Sequence, residues 1–184
     1  AVNGGVQLSA DCNQGWTREE ALTYVKAAGE SLDFVEQPVM GHDVEGMAMI
    51  AAASPCPIGA DEGLHSFDDI RRHKDMGAAA GGSLKMIKLG GVTRAYQAAV
   101  LFDELGLHVN MAGKVAESSV SSAAVLQIAA AAPAIEWGVS VTAQYLANDI
   151  AKTGVNVVNG QVTVPTGAGL GIEVDEAALA KFVR

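Results

Sequence analysis

Hydrophobic positions along this chain fall into short runs separated by amphipathic stretches. The first run, VQLSAD, sets Leu8 and Ala10 on one side and Ser9 and Asp11 on the other, the alternation of a strand. Thr17 then begins TREE, a Ser/Thr-x-x-Glu capping box, and predicts a helix to about Ala28. The next strand, LDFVEQP, ends near Glu36 and is stopped by Pro38. Asp43 is placed to cap the helix VEGMAMIAAA, and a third strand, CPIGAD, ends at Asp61. Ser66 opens SFDD, a second capping signal, ahead of IRRHKDM.

SLKMIKL reads as the fourth strand, followed by Gly90-Gly91 and a helix from about Thr93 to Leu105. LHVNMAG is the fifth strand, and a Ser- and Ala-rich helix follows Glu117. A weaker sixth strand, IEWGVS, precedes AQYLANDI, read as helical with Asp149 at its end. The tail changes character. VNVVNGQVTVP carries Asn159-Gly160 between alternating apolar runs, a hairpin signal, and DEAALAKFVR is a short terminal helix capped by Asp175.

Asp11, Glu36, Asp61 and Lys85 stand 25, 25 and 24 residues apart. Each interval holds one strand and one helix, the pattern of a parallel α/β sheet. No Gly-x-Gly-x-x-Gly follows any strand, which favours a barrel over a dinucleotide-binding sheet. A complete TIM-type (β/α)8 barrel has eight units in about 250 residues. Six units are legible here, so residues 1–184 are expected to be one domain, the later part of such a barrel. The βα units occupy about 1–150 and the hairpin and terminal helix 151–184; the first strands are expected upstream of Ala1.

Composition narrows the field. The net charge of −9 argues against nucleic acid. AAVLQIAAAAPAI is too short to span a bilayer, and no signal peptide is visible. Cys12 and Cys56 form neither a disulfide framework nor a metal pattern, which fits a reduced, cytoplasmic setting. His42, His65, His73 and His108 lack metal-ligand spacing, and TGAGLG opens no helix that would bind phosphate.

Strand C-termini of a barrel converge on one mouth. Asp11, Glu36 and Asp61 would occupy adjacent strand ends there, where three carboxylates repel one another unless a cation holds them. Oxygen ligands alone favour Mg²⁺ or Mn²⁺ over zinc. Alternation points Lys85 inward, as a general base, and leaves Lys88 as a loop residue or a support behind the site. Glu62 is either a solvated loop acid or a similar support. Glu117 either meets substrate or stabilises the start of its helix.

ADCNQGW, FVEQP, GADEG, LKMIKLGG and AESS, in this order and spacing, resemble the enolase superfamily, in the barrel domain of its mandelate racemase and muconate lactonizing enzyme group. The resemblance implies Mg²⁺ (or Mn²⁺) on Asp11, Glu36 and Asp61, with Lys85 as the base that removes the α-proton of a carboxylate substrate. It maps Glu117 to an acid that bonds the substrate carboxylate, and puts Asn13 in an Asp-x-Asn element. Epimerisation or racemisation, cycloisomerisation or dehydration would follow an enediolate, with a lean toward amino-acid or hydroxyproline-type substrates. It also implies a homo-oligomer in the full-length form. The family's Lys-x-Lys strand and N-terminal capping domain would lie upstream of Ala1, so the chain alone is expected to be inactive.

Rival readings make Lys85 a Schiff-base aldolase lysine, pair Glu36 with Glu117 as glycosidase carboxylates, or treat the chain as a non-catalytic truncated barrel.

Overall fold

The computed structural model describes residues 5–183. Six parallel strands lie in chain order: β1 (Ser9–Asp11), β2 (Phe34–Glu36), β3 (Ile58–Ala60), β4 (Gly81–Leu84), β5 (His108–Ala112) and β6 (Gly138–Ser140). Between them run α1 (Arg18–Ala28), α2 (Val44–Ala53), α3 (Phe67–Asp75), the short α4 (Met86–Leu89), α5 (Val92–Glu104) and α6 (Ser119–Ala131). A one-turn helix, α7 (Glu176–Leu179), closes the described tail. Arg184, the end of the expected terminal helix, lies outside the described residues.

The helix starts follow the predicted caps. Thr17 and Glu20 form the reciprocal capping box of α1, and Asp43 and Ser66 accept from Gly46 and Asp69 N–H at α2 and α3. The helices pack Met47, Ile50, Ile70, Ala95, Ala98, Phe102, Val125 and Ile128 onto the outer face of the sheet. That face carries Val35, Ile58, Leu84, Val109 and Met111. Parity therefore leaves Asp11, Glu36 and Ser83 on the inner face.

The sheet is curled. Phe34 on β2 and Trp137, just before β6, stack at 4.2 Å between ring centroids. Four strand spacings would put them roughly 19 Å apart in a flat sheet. Trp137 fills the inner space because β3 and β4 offer glycine there. A Cβ at Gly59 or Gly81 would come within 2.8 Å of the indole ring. This is a partial barrel, as the strand-helix period predicts.

The fourth strand differs from expectation. It ends at Leu84, Lys85 is the cap residue of α4, and Met86–Leu89, including Lys88, is helical rather than strand or loop. Gly81-Gly82-Ser83-Leu84 do the pairing, in register with His108-Val109-Asn110-Met111. Two glycines leave no alternation to read, whereas α4 ends clearly at Gly90, with φ 92° and its N–H on Met86 O. Ile87 is accordingly 63% exposed, unlike a strand residue of a covered sheet.

β6 is shorter than IEWGVS, and AQYLANDI gives only a 3-10 turn at Ala143–Tyr145. Asp149 does not end a helix of its own; its carboxylate accepts the Ser119 N–H at the start of α6. Of the predicted hairpin only the turn forms, with Asn159 and Gly160 at φ 52° and 73° and Val158 and Gln161 bonded both ways; the apolar runs on either side form no strands. Among the described residues no helix is long and apolar enough to cross a membrane.

Candidate metal and proton-transfer site

The three acids occupy successive strand ends. Asp11 and Glu36 are register partners across β1 and β2, and Asp61 directly follows β3. Asp11 lies on the open side of β1 and is exposed; its Oδ1 accepts the Asn13 N–H at 2.9 Å. That turn puts Asn13 at φ 43° and leaves its side chain exposed.

Glu36 is buried. Its Oε1 accepts the Ser83 hydroxyl at 2.5 Å, and Asn110 Nδ2 donates to the same hydroxyl at 2.8 Å. Burial pushes the Glu36 carboxyl up to about 7, and the charges of Asp61 and Asp11 add to the shift, while Ser83 and Lys85 oppose it. The same cause raises Glu62, whose Oε2 is buried without a hydrogen-bond partner.

Asp61 is 1% exposed and is surrounded by donors. Lys85 Nζ binds its Oδ2 and Lys88 Nζ its Oδ1. Lys88 Nζ also reaches the Asp61 carbonyl at 2.5 Å and the Ser83 carbonyl at 3.1 Å. Lys85 extends from the end of β4 to the same acid that Lys88 holds from α4. Burial works to lower the Lys85 pKa, but the Asp61 hydrogen bond and charge, with Glu36 and Glu62, outweigh it and hold the proton. For Lys88 burial prevails and the pKa falls.

Glu117 sits in the loop after β5, where its Oε2 accepts the Ser121 hydroxyl at 2.7 Å. No hydrogen bond or ion pair joins it to Asp11, Glu36 or Asp61 among the described residues. Cys12, by parity, turns to the helix side, and burial followed by the charges of Asp11 and Glu36 pushes its thiol up to about 12. Both cysteines are free.

Three residues outside the expected set shape the site. Ser83 and Asn110 are legible in hindsight from parity, since each lies on the inner face of its strand. Gln37, inside FVEQP, accepts the Asp61 N–H at 2.8 Å, and no periodicity signals it.

The donor set suits a hard divalent cation, because it consists of carboxylates whose mutual repulsion is felt at Glu36. Among the described residues no three carboxylate, imidazole or thiol groups converge into a closed chelate. Asp61 instead shares its two oxygens with two ammonium groups. A cation here would replace Lys85 or Lys88 on Asp61.

Comparison with known proteins places this geometry. A family model described as enolase C-terminal domain-like matches residues 1–178. A chloromuconate cycloisomerase from Cupriavidus pinatubonensis is 32% identical over 187 residues, covering 100% of this chain and 50% of that protein. An L-Ala-D/L-Glu epimerase from Bacteroides thetaiotaomicron is 32% identical over 167 residues, covering 90% and 42%. The crystal structure of an enolase from Thermobispora bispora complexed with magnesium and formate superposes with a TM-score of 0.87. It is 29% identical and covers 96% of this chain and 42% of that one. The chain thus spans about half the length of the relatives it matches. On sequence and on fold alike, the chain belongs to the enolase C-terminal domain-like family.

Proposed function

We propose that this chain is the barrel part of an enzyme that removes the α-proton of a carboxylate substrate. Asp11, Glu36 and Asp61 would hold Mg²⁺ or Mn²⁺. The observation that carries the reading is that four successive strand ends bring Asp11, Glu36, Asp61 and Lys85 to one mouth, with Lys85 bonded to Asp61. When bound, the cation supplies a positive charge that draws electron density from the substrate carboxylate as the C–H bond breaks.

Lys85 is the base. With Asp61 turned to a cation, Lys85 would lose the bond and charge that hold its proton. Its neutral amine then takes the proton from the α-carbon, and the electron pair of the C–H bond passes toward the substrate carboxylate. Lys88 stays on the Asp61 carbonyl and fixes the acid while Lys85 is exchanged. Glu117, on the neighbouring loop, is the group assigned to meet the substrate. Glu62 and Asn13 support the site from the loops after β3 and β1. The product of proton removal depends on the substrate: a proton returned to the carbon gives epimerisation, and departure of a β-group gives dehydration or the reverse of lactone formation.

The relatives' names, a cycloisomerase and a dipeptide epimerase, support a small carboxylate substrate. Within that class we assign an amino-acid or hydroxyproline-type carboxylate. The test is proton exchange in D₂O with Mg²⁺, using the full-length protein and lactone acids, dipeptides and hydroxyprolines. Deuterium at the α-carbon, lost with a chelator and in Lys85→Ala, is the expected outcome. Exchange that survives both changes, or a borohydride-trapped lysine adduct, would defeat the reading.

A further inference from the structure

Two glutamines, neither of them charged, hold together the loops that carry the three carboxylates. Gln37 is 0% exposed and both polar atoms of its amide are used. Its Oε1 accepts from Asp61 N–H at 2.8 Å and Gly63 N–H at 3.1 Å, and its Nε2 donates to the Val39 carbonyl at 2.9 Å. Its backbone N–H donates to Gly59 O at 2.9 Å, and its carbonyl accepts Gln14 N–H at 2.8 Å. Gln14 answers with its own side chain, whose Oε1 accepts the Gly41 N–H at 2.9 Å. The loops after β1, β2 and β3 are thereby bonded to one another, and each begins at one of Asp11, Glu36 and Asp61.

Both residues are held in the left-handed region, at φ 63° for Gln14 and φ 35° for Gln37. A non-glycine residue stays there only where its surroundings fix it. The amide at position 37 must accept two N–H groups and donate to one carbonyl. An apolar side chain would leave all three buried groups unpaired. A neutral amide does this without adding a fourth negative charge beside the acids.

We propose that Gln37, seconded by Gln14, is a positioning residue that sets the spacing of Asp11, Glu36 and Asp61, and so the affinity of the site for its cation. The proposal rests on the reading of those acids as metal ligands. The experiment is Mn²⁺ binding by the full-length protein, monitored by calorimetry or by the electron paramagnetic resonance of free Mn²⁺. Thermal unfolding is measured alongside.

Gln37→Leu is expected to weaken Mn²⁺ binding tenfold or more. Gln37→Glu, which keeps both accepted bonds and adds a negative charge that favours a cation, should not weaken Mn²⁺ binding, while the lost donation to the Val39 carbonyl lowers its unfolding temperature. Ile128→Ala, a core truncation on α6 with no bond to Gln37, controls for instability and should leave Mn²⁺ affinity unchanged. Should Gln37→Leu not fold, Gln14→Leu carries the test, with a threefold or greater weakening expected.

Wild-type affinity in the folded Gln37→Leu protein, or in Gln14→Leu where it serves instead, overturns the proposal. So does an equal loss in Ile128→Ala. Those outcomes leave the metal reading intact provided Asp61→Asn still weakens binding. Failure of the wild type to bind Mn²⁺, or an Asp61→Asn variant that binds as well as wild type, overturns both.

Discussion

Lys88 grips Asp61 twice, at the carboxylate and at the main-chain carbonyl, from a helix of only four residues. The contact joins the end of β3 to the segment after β4. It also makes Lys88 the fixed one of two cations on that acid, since its remaining bond goes to the Ser83 carbonyl.

Replacing Lys88 by Met therefore leaves a buried carboxylate and two carbonyls with one donor fewer. A broken buried pair costs about 3 kcal/mol. Urea unfolding should register that loss, whereas Lys74→Met, on the exposed side of α3, should change stability by less than about 0.5 kcal/mol. Equal midpoints for wild type and Lys88→Met would show that the pair contributes nothing.

Glu36 gives the metal-free protein a pH dependence of known sign. Burial lifts its pKa from 4.5 to about 7, so the folded chain keeps a proton that the unfolded chain releases between those values. Its contribution is fully present below 4.5 and is lost as the pH climbs through about 7. The amount is on the order of 3 kcal/mol. The difference in urea midpoint between wild type and Glu36→Gln should follow this curve. Ser83→Ala, which removes a bond favouring the ionised form, should extend the loss to higher pH. Saturating Mg²⁺ should reverse the trend, because the cation binds only the ionised carboxylate.

His73 acts in the opposite direction. It is buried, with Nδ1 2.8 Å from the Asp69 carbonyl and Nε2 unpartnered. Burial lowers its pKa from 6.5, although the Asp69 hydrogen bond and charge oppose the shift. The stability it confers is present above pH 6.5 and is lost as the pH falls below that value. His73→Leu should flatten this acid limb; an unchanged limb would assign it to other groups.

Trp137→Ala should cost about 3–5 kcal/mol, the range for emptying a large buried aromatic site. The ring stacks on Phe34 at 4.2 Å and near His108 at 5.5 Å, and it covers two glycines of β3 and β4 that have no side chain to fill the space. Near-UV circular dichroism and thermal unfolding would report the change. A loss below 1 kcal/mol would mean that the inner layer collapses around the gap.

Much of this architecture is legible in one dimension. The strand-helix interval, the caps at Thr17, Asp43 and Ser66, and the acids closing three strands all follow from local periodicity and local capping chemistry. Where local information is missing, the pattern misleads. Gly81 and Gly82 show no alternation, so the apolar residues after them read as the strand. Asp149 looks like the end of a nearby helix, yet it caps α6 some 30 residues earlier.

The parallel α/β order, the partial barrel and the candidate chemistry of Asp11, Glu36, Asp61 and Lys85 can be read from the order of residues. Which donors meet those acids is set by packing. Ser83 reaches Glu36 across 47 residues, Lys88 reaches Asp61 across 27, and Gln37 reaches the Asp61 N–H across 24. Periodicity reports which side of an element faces apolar neighbours. The partner of a buried polar atom depends instead on strand register, loop conformation and the curl of the sheet, which exist only once distant segments have packed together.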